Sequence, residues 1–502
     1  MGDTRLLDGL DYLLIAGLML LGLVPRLLWF SGYGLGDDIL FRHALAMLLD
    51  NHQVAQDNMA YRVTWWLPTA LACRVFGLSE TGLVLPVTVV STLGIGLLYV
   101  FGKALWGRSA GVIAALLLIA TPLDFAWSTM MNLDAFCSFF SAAAVFFQLR
   151  ALALDDPAAR RRAWICSAAC LWLAFHAKVS ALLVVPALIV IGLARRDRLD
   201  RAAWAFVRTA TLLFGASVLV SYVFTGDPLA PYHVEITAQG LTGPVAIPYH
   251  RLDAATFWAY PNLLFRPERR YHVLLFGLVP HTLVLLALLA PVLRLRTSWP
   301  VFWWLVFVFL GMQLNVQRVD GVWVAGFRNI RHAHVFLYPL ILLLTGFVRT
   351  LRARWRWAAD LLLAVVLIVG ARQSIWTANL THVSFADCRA VCEFLPSLPP
   401  KTVVSDFQIE TSCGLGAARE LQYRKDLHAY DGNVRRTQIA ALPDVYLVTG
   451  GGREPWYGCI DCIPLAKELD PAQWRLVKEF PGPSGATAWR PEPARIWERV
   501  KP

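Results

Sequence analysis

Apolar stretches long enough to cross or nearly cross a lipid bilayer recur eleven times along this chain, at about 10–30, 82–101, 109–127, 134–152, 163–176, 179–194, 203–225, 271–292, 299–316, 333–348 and 358–376. A backbone entering hydrocarbon must satisfy its own N–H and C=O groups, so each stretch is expected to be helical and the chain a polytopic helical bundle, mainly α. Composition agrees, with 57% of the 502 residues apolar and 16% charged, against roughly 45–50% and 25% in a soluble domain. The formal charge of +11 does not point to nucleic acid, because the Arg residues fall in short clusters between apolar runs, with no long basic face or stacking motif. The first run has no small-residue cleavage site after it and is expected to be a retained span rather than a signal peptide.

Charge sets the expected topology. The basic clusters Lys103/Arg108, Arg160/Arg161/Arg162, Arg195/Arg196/Arg198/Arg201, Arg294/Arg296 and Arg349/Arg352/Arg354/Arg356 fall on one side only if residues 62–77 do not cross. That run, with Arg62 and Arg74 near its ends and Pro68 inside, reads as a helix lying at the interface. About eleven spans then carry the N-terminus inside and the C-terminus outside. The expected organisation is a transmembrane domain over 1–376, with outer loops at 31–81, 226–270 and 317–332, followed by an extracytoplasmic α/β domain over 377–502. In that last segment the strand-like runs TVVSDF and VYLVTG alternate with helical patterns.

The first outer loop, SGYGLGDDILFRHALAMLLDN over 31–51, is too polar to cross. It opens with Gly32, Gly34 and Gly36, sets adjacent carboxylates at Asp37 and Asp38, and continues as an amphipathic helix with Leu40, Ala44, Met47 and Leu48 on one stripe. Capping of that helix by one of these acids is the bland account of them, as it is for Asp134 at the start of a later span. Lys178 stands between two short apolar runs, where a lone charge is costly unless it faces a polar cavity or snorkels to the interface. Arg318, Arg328 and Arg331 gather with His332 and His334 in a loop assigned to the outside, where basic residues are disfavoured, so something there is expected to want positive charge. Cys388, Cys392, Cys413, Cys459 and Cys462 lie in the C-terminal segment. Their C-x-x-x-C and C-x-x-C spacings suit zinc or disulfides, and an oxidising compartment favours disulfides among Cys388, Cys392, Cys459 and Cys462.

The GDD of the first loop, the run ending RVFG, the span entered by GRSAGVIAALLLIATPLDF, the turn MMNLDAF, the segment WLAFHAKVSALLVVPALIV and the outer RNIRHAHVFLYPL occur in an order and spacing that resemble the GT-C glycosyltransferases. The pattern is most similar to bacterial relatives of the protein O-mannosyltransferases and of the lipid A aminoarabinose transferase, over roughly residues 10–350. The chain departs from it in having Asp37-Asp38 where Asp-Glu is usual, and TyrArgValThr at 61–64 where an acidic or basic residue followed by prolines is usual.

The resemblance implies a polyprenyl-phosphate-linked sugar donor, a glycan, lipid or protein hydroxyl as acceptor, and an active site facing the periplasm from a bacterial inner membrane. In such a reaction a carboxylate accepts the hydroxyl proton while basic groups stabilise charge growing on the phosphate. Asp37 is then the candidate base, with Asp38 its neighbour and rival. Asp134 matches the second acid, with Asp124 a weaker rival. Lys178, Arg331 and His332 are implied to hold the lipid phosphate. Tyr61, Arg62 and His43 are candidate acceptor or sugar contacts, although an aromatic belt explains Trp65 and Trp66 without substrate. No metal-binding motif is apparent, and the chemistry is expected to run without one, even though Asp37, Asp38 and Asp134 are a set that a divalent ion would accept. The competing readings are a carrier or flippase for a lipid-linked sugar, which would place charge near the middle of paired spans, and a non-enzymatic assembly protein.

Overall fold

The computed structural model describes residues 7–32, 61–231, 298–319, 322–325, 330–384, 386–399, 401–405, 444–449, 469–481 and 493–500, together with positions 42, 45, 47–49, 233 and 258. Contacts divide the chain into two compact units that interleave in sequence. The first takes residues 1–30, 56–72 and 84–378, and the second 31–55, 73–83 and 379–502. Parts of the first loop therefore group with the C-terminal segment, whereas the sequence suggested a single cut near 376.

In the first unit, helix α1 (Gly9–Leu28) is fastened by a capping box in which Asp8 and Asp11 accept each other's backbone N–H. Helix α2 (Val63–Phe76) has 14 residues, about 21 Å at 1.5 Å per residue, which is short of the ~30 Å hydrocarbon layer. Helices α3 (Glu80–Trp106) and α4 (Arg108–Ile119) form a hairpin about Gly107, whose φ of 95° suits glycine. Gly102 and Gly111 let the two backbones touch, since a Cβ on Gly111 would lie 2.5 Å from the Tyr99 carbonyl oxygen. The apolar run 109–127 is not one rod. It breaks at Ala120–Thr121, and α5 (Pro122–Ser128) departs from α4 at 61°, with Pro122 preset for the new first turn.

Helices α6 (Asp134–Ala153) and α7 (Pro157–Phe175) pack as an antiparallel pair, and the chain continues through a 3-10 turn (Val179–Val184) into α8 (Val185–Leu193). Helix α9 (Trp204–Thr225) precedes α10 (Trp299–Gln313), the hairpin β1 (Val316–Val319)/β2 (Val322–Ala325), a 3-10 segment (Ile330–Phe336), α11 (Leu337–Arg354) and α12 (Arg356–Ser384). Among the described residues six helices are long and apolar enough to cross a membrane, and seven if α4 and α5 count as one bent span. The difference from eleven has definite causes. The 163–176 run belongs to a helix opening on Arg160–Arg162, the stretches at 179–194 and 299–316 give apolar helices of only 15 residues each, and 271–292 lies outside the described residues. Leu212 and Val223 of α9 are 73% and 68% exposed, as suits side chains whose solvent is lipid.

In the second unit, TVVS forms β3 (Thr402–Ser405) and VYLVT forms β4 (Val445–Thr449), which pair in parallel; β6 (Arg495–Arg499) runs antiparallel to β4, and β5 (Trp474–Glu479) antiparallel to β6. Helix α13 (Ala386–Phe394) lays Val391 on one face of this sheet, against Val403, Tyr446, Val448 and Ile496. The opposite face buries Val445, Leu447 and Trp474, so every residue of β4 is buried, as befits a strand covered on both sides. Glu498 accepts from Lys401 (2.8 Å) and from Arg475, and these two partners hold its carboxyl below the usual range. A depressed carboxylate adds stability above its unfolded pKa and loses it as pH falls through the folded one. Glu498→Gln should therefore lower heat resistance at neutral pH, by at most about 1 kcal/mol for a partly exposed pair, and the gap from wild type should close on acidification through the carboxylate range. Thermal unfolding at a series of pH values checks this, and a pH-independent gap would remove Glu498 as the cause.

Candidate functional site

Ion pairs gather at the two ends of the first unit. At one end Asp11 accepts from Tyr99 Oη (2.6 Å), Arg108 Nε (2.9 Å) and Lys103, while Asp8 pairs with Arg108 at 2.5 Å. Near the end of α6 and the start of α7, Arg160 pairs with Asp200, and Arg198 donates to Asp155 at 2.7 Å. Several of the clustered cations that set the expected topology are thus matched by carboxylates. Arg26, fifteen residues beyond Asp11 on α1, lies about 22 Å along the helix axis, and around it the other end is built.

There, Asp134 is the first residue of α6, whose N-cap residue Leu133 makes no side-chain cap hydrogen bond. The capping role falls to Asn132, whose Oδ1 accepts the Asp134 backbone N–H at 2.9 Å. The Asp134 carboxylate, 2% exposed, instead receives Lys178 Nζ at 2.8 Å. Lys178 is extended (φ −161°, ψ 135°) at the break between α7 and the 3-10 turn, so its side chain leaves the helical path and reaches the start of α6. The two candidates, 44 residues apart in sequence, form one ion pair.

One turn along α6, Ser138 Oγ lies 3.0 Å from His334 Nδ1, and Asp134 and Ser138, at i and i+4, share a face of the helix. His334 belongs to the 3-10 segment that also carries Arg331 and the half-buried His332. Its Nε2 donates to Asp124 Oδ1 at 2.9 Å. Asp124 Oδ2 receives Arg26 Nη2 (2.6 Å) and Ser91 Oγ (2.7 Å), while Arg26 also donates to Ser128 Oγ and to the Gly22 carbonyl and lies over the Phe125 ring. Arg26 and Asp124 are both fully buried. Asp134 is thus the acid joined to Lys178, whereas Asp124 spends its buried carboxylate on Arg26, Ser91 and His334. Neither its role nor that of Arg26 was visible in the sequence, where the bend at Pro122 that turns Asp124 inward carries only a weak signal.

Close by, His176 Nδ1 meets the Tyr61 carbonyl at 2.9 Å and Nε2 meets Ser217 Oγ at 2.8 Å. Tyr61 and the 9%-exposed Arg62 thus stand beside the α7 terminus two residues from Lys178. Asn132 is the residue that spacing missed. Its amide orientation is fixed because Oδ1 must accept from the Asp134 N–H, and its Nδ2 is a buried donor with no hydrogen-bond partner among the described residues. Asp37, Asp38, His43, Cys459 and Cys462 lie outside the described residues, as do the side chains of Arg331 and Cys388. Gly32, at the start of that first loop, has a φ of 78°, and a Cβ there would lie 2.2 Å from Glu80 Oε1. Cys392 in α13 is disulfide-bonded. Among the described residues no group of three or more His, Cys, Asp and Glu is gathered to hold a metal ion.

The family model for dolichyl-phosphate-mannose-protein mannosyltransferase matches residues 63–222, about a third of the chain and the part that carries Asp134 and Lys178. Among curated protein sequences none matches. Of solved structures, ArnT from Cupriavidus metallidurans bound to undecaprenyl phosphate is similar over 98% of both chains, with 14% identity and a TM-score of 0.62. An Archaeoglobus fulgidus oligosaccharyltransferase in the apo form is similar over 94% of this chain and 74% of its own, with 10% identity and a TM-score of 0.61. Archaeal oligosaccharyltransferase AglB from the same organism, in complex with an inhibitory peptide and a dolichol phosphate, aligns over 98% of this chain and 89% of its own, with 11% identity and a TM-score of 0.58. The bent α4–α5 path, the paired α6 and α7 and the charged end they build are thus parts of a chain with the GT-C fold of membrane glycosyltransferases.

Proposed function

We propose that this protein transfers a sugar from a polyprenyl-phosphate donor to a hydroxyl of a glycan, lipid or protein acceptor, at the extracytoplasmic face of a bacterial inner membrane. The observation that carries the reading is the Asp134–Lys178 ion pair at the start of α6, one helical turn from the contact that seats the Arg331- and His332-bearing segment. Two of the similar structures hold an undecaprenyl phosphate and a dolichol phosphate, and a disulfide at Cys392 suits an oxidising compartment.

In this mechanism the acceptor oxygen attacks the anomeric carbon as the bond from that carbon to the phosphate oxygen breaks. The electron pair leaves with the lipid phosphate, and the hydroxyl proton passes to Asp37 or to its neighbour Asp38. Lys178 spends one N–H on Asp134, which leaves two for phosphate oxygens. Arg331 adds a planar fork and His332 a further donor, so in this reading charge growing on the leaving group is met by basic groups. Asn132 Nδ2 supplies a neutral donor beside them.

Lys178→Ala should weaken undecaprenyl phosphate binding roughly 10- to 100-fold, the worth of one or two hydrogen bonds to a charged group. Titration of the detergent-solubilised protein reads this, and an unchanged Kd would remove Lys178 from the phosphate site. The reaction itself is tested with protein in nanodiscs and polyprenyl-phosphate sugars offered with candidate acceptors. Sugar transfer with release of polyprenyl phosphate is the expected result. A donor moved across the bilayer with its sugar–phosphate bond intact would establish the flippase reading instead. Glycan and lipid masses from a deletion strain identify the sugar and the acceptor.

A further inference from the structure

We infer that the buried Arg26–Asp124 ion pair is a positioning device for the donor site. It acts through His334 to hold the 3-10 segment Ile330–Phe336, and with it Arg331 and His332, against the start of α6. The inference rests on the reading of that site as a phosphate site.

Three observations support it. The first is that the pair has no surface of its own, since Arg26, Asp124 and His334 are all essentially unexposed. Among its described partners, Ser91, Ser128, Gly22 and Phe125 lie on α1, α3 and α5. It is His334 that carries the pair to the 3-10 segment, its ring nitrogens reaching two different elements, α5 at Asp124 and α6 at Ser138. Two bonds in different directions fix both the place and the rotation of the ring. The second is that an anchor for this segment needs no polar group, because Ala333, Val335 and Phe336 already bury its apolar side. A buried ion pair is a poor way to gain net stability, as desolvation offsets most of its attraction. What the pair adds is a single allowed seating. The third is spacing. In a 3-10 helix residues i and i+3 eclipse, so the backbone at Arg331 stands one turn directly N-terminal of the tethered His334, and Lys178 reaches the same helix start through Asp134. A slip of His334 therefore carries the Arg331 position with it.

The test compares full-length wild type, His334→Leu and His334→Gln in detergent. Glutamine keeps an amide donor for Asp124 and leucine does not. Hydrogen–deuterium exchange over residues 330–336 reads the seating without any ligand, and undecaprenyl phosphate titration reads its consequence. Loss of a hydrogen bond to a charged group should raise local exchange and the Kd about tenfold each in H334L, and H334Q should return both to within about threefold of wild type. Exchange unchanged in H334L overturns the device. Faster exchange with an unchanged Kd overturns its link to donor binding. A wild type that does not bind undecaprenyl phosphate sinks the reading of the site, and the proposal's donor half with it, while exchange still judges the tether. Should H334L fail to accumulate, Ser138→Ala removes the second ring partner and leaves the ion pair intact. It must then raise both readings about threefold, and no change overturns the proposal.

Discussion

Asp124→Asn should cost about 3–5 kcal/mol of stability, because it leaves the Arg26 guanidinium charged and fully buried with its carboxylate partner gone. The side chain keeps its shape, and the amide oxygen still accepts a hydrogen bond, so the loss reports charge rather than packing. Arg26 is fully buried, and besides Asp124 it donates to Ser128 Oγ and the Gly22 carbonyl, neither of which carries a charge. The sharper form of the prediction is a sign. Adding Arg26→Met to Asp124→Asn should recover more than half of the loss, since no buried charge then remains. Equilibrium unfolding in mixed micelles measures both. Additive losses in the double variant would show that the two residues do not form the pair described.

The second large effect is on turnover. Asp37→Asn should lower sugar transfer by about 10²- to 10⁴-fold, the usual worth of a positioned general base. Undecaprenyl phosphate affinity should stay at the wild-type value, because the phosphate is assigned to Lys178, Arg331 and His332. Asp38→Asn in the same assay separates the neighbours. Normal turnover in D37N with none in D38N would move the proton to Asp38, and normal turnover in both would end the first-loop base. Single-turnover assays with a labelled donor, read beside the titration, keep chemistry and binding apart.

How much of this was legible in the sequence depended on range. Runs such as 82–101 and 134–152 announce themselves because a helix in lipid is a local fact, written in twenty consecutive residues. Lys178 stood out for the same reason, as one charge among apolar neighbours. Asp134 was singled out too, but not their pairing, because that contact spans 44 residues and depends on the chain leaving helical geometry at Lys178 itself. Asp124 was harder still. Its bonds to Arg26 and His334 span 98 and 210 residues, in a helix that forms where the apolar run 109–127 breaks at Ala120–Thr121. A window that averages hydropathy reads straight across such a break. Likewise Lys103, Arg108 and Arg160 read as loop cations, and only the fold brings Asp8, Asp11 and Asp200 to them. Apolar runs announce that the chain is a helical membrane protein, while the breaks within them and the pairing across them are properties of the folded chain.

The Lys178 ammonium is balanced by the Asp134 carboxylate, and in the proposed phosphate site this has a bearing on selectivity. A passing soluble anion meets a nearly neutral dipole, and to bind it must displace or share a partner held 2.8 Å away. Inorganic phosphate and free sugar phosphates are poor competitors on those terms, whereas a lipid-tethered phosphate arrives with its tail already dissolved in the bilayer and its headgroup confined to the membrane plane. In the proposed site, discrimination between the two thus needs no residue that recognises the tail.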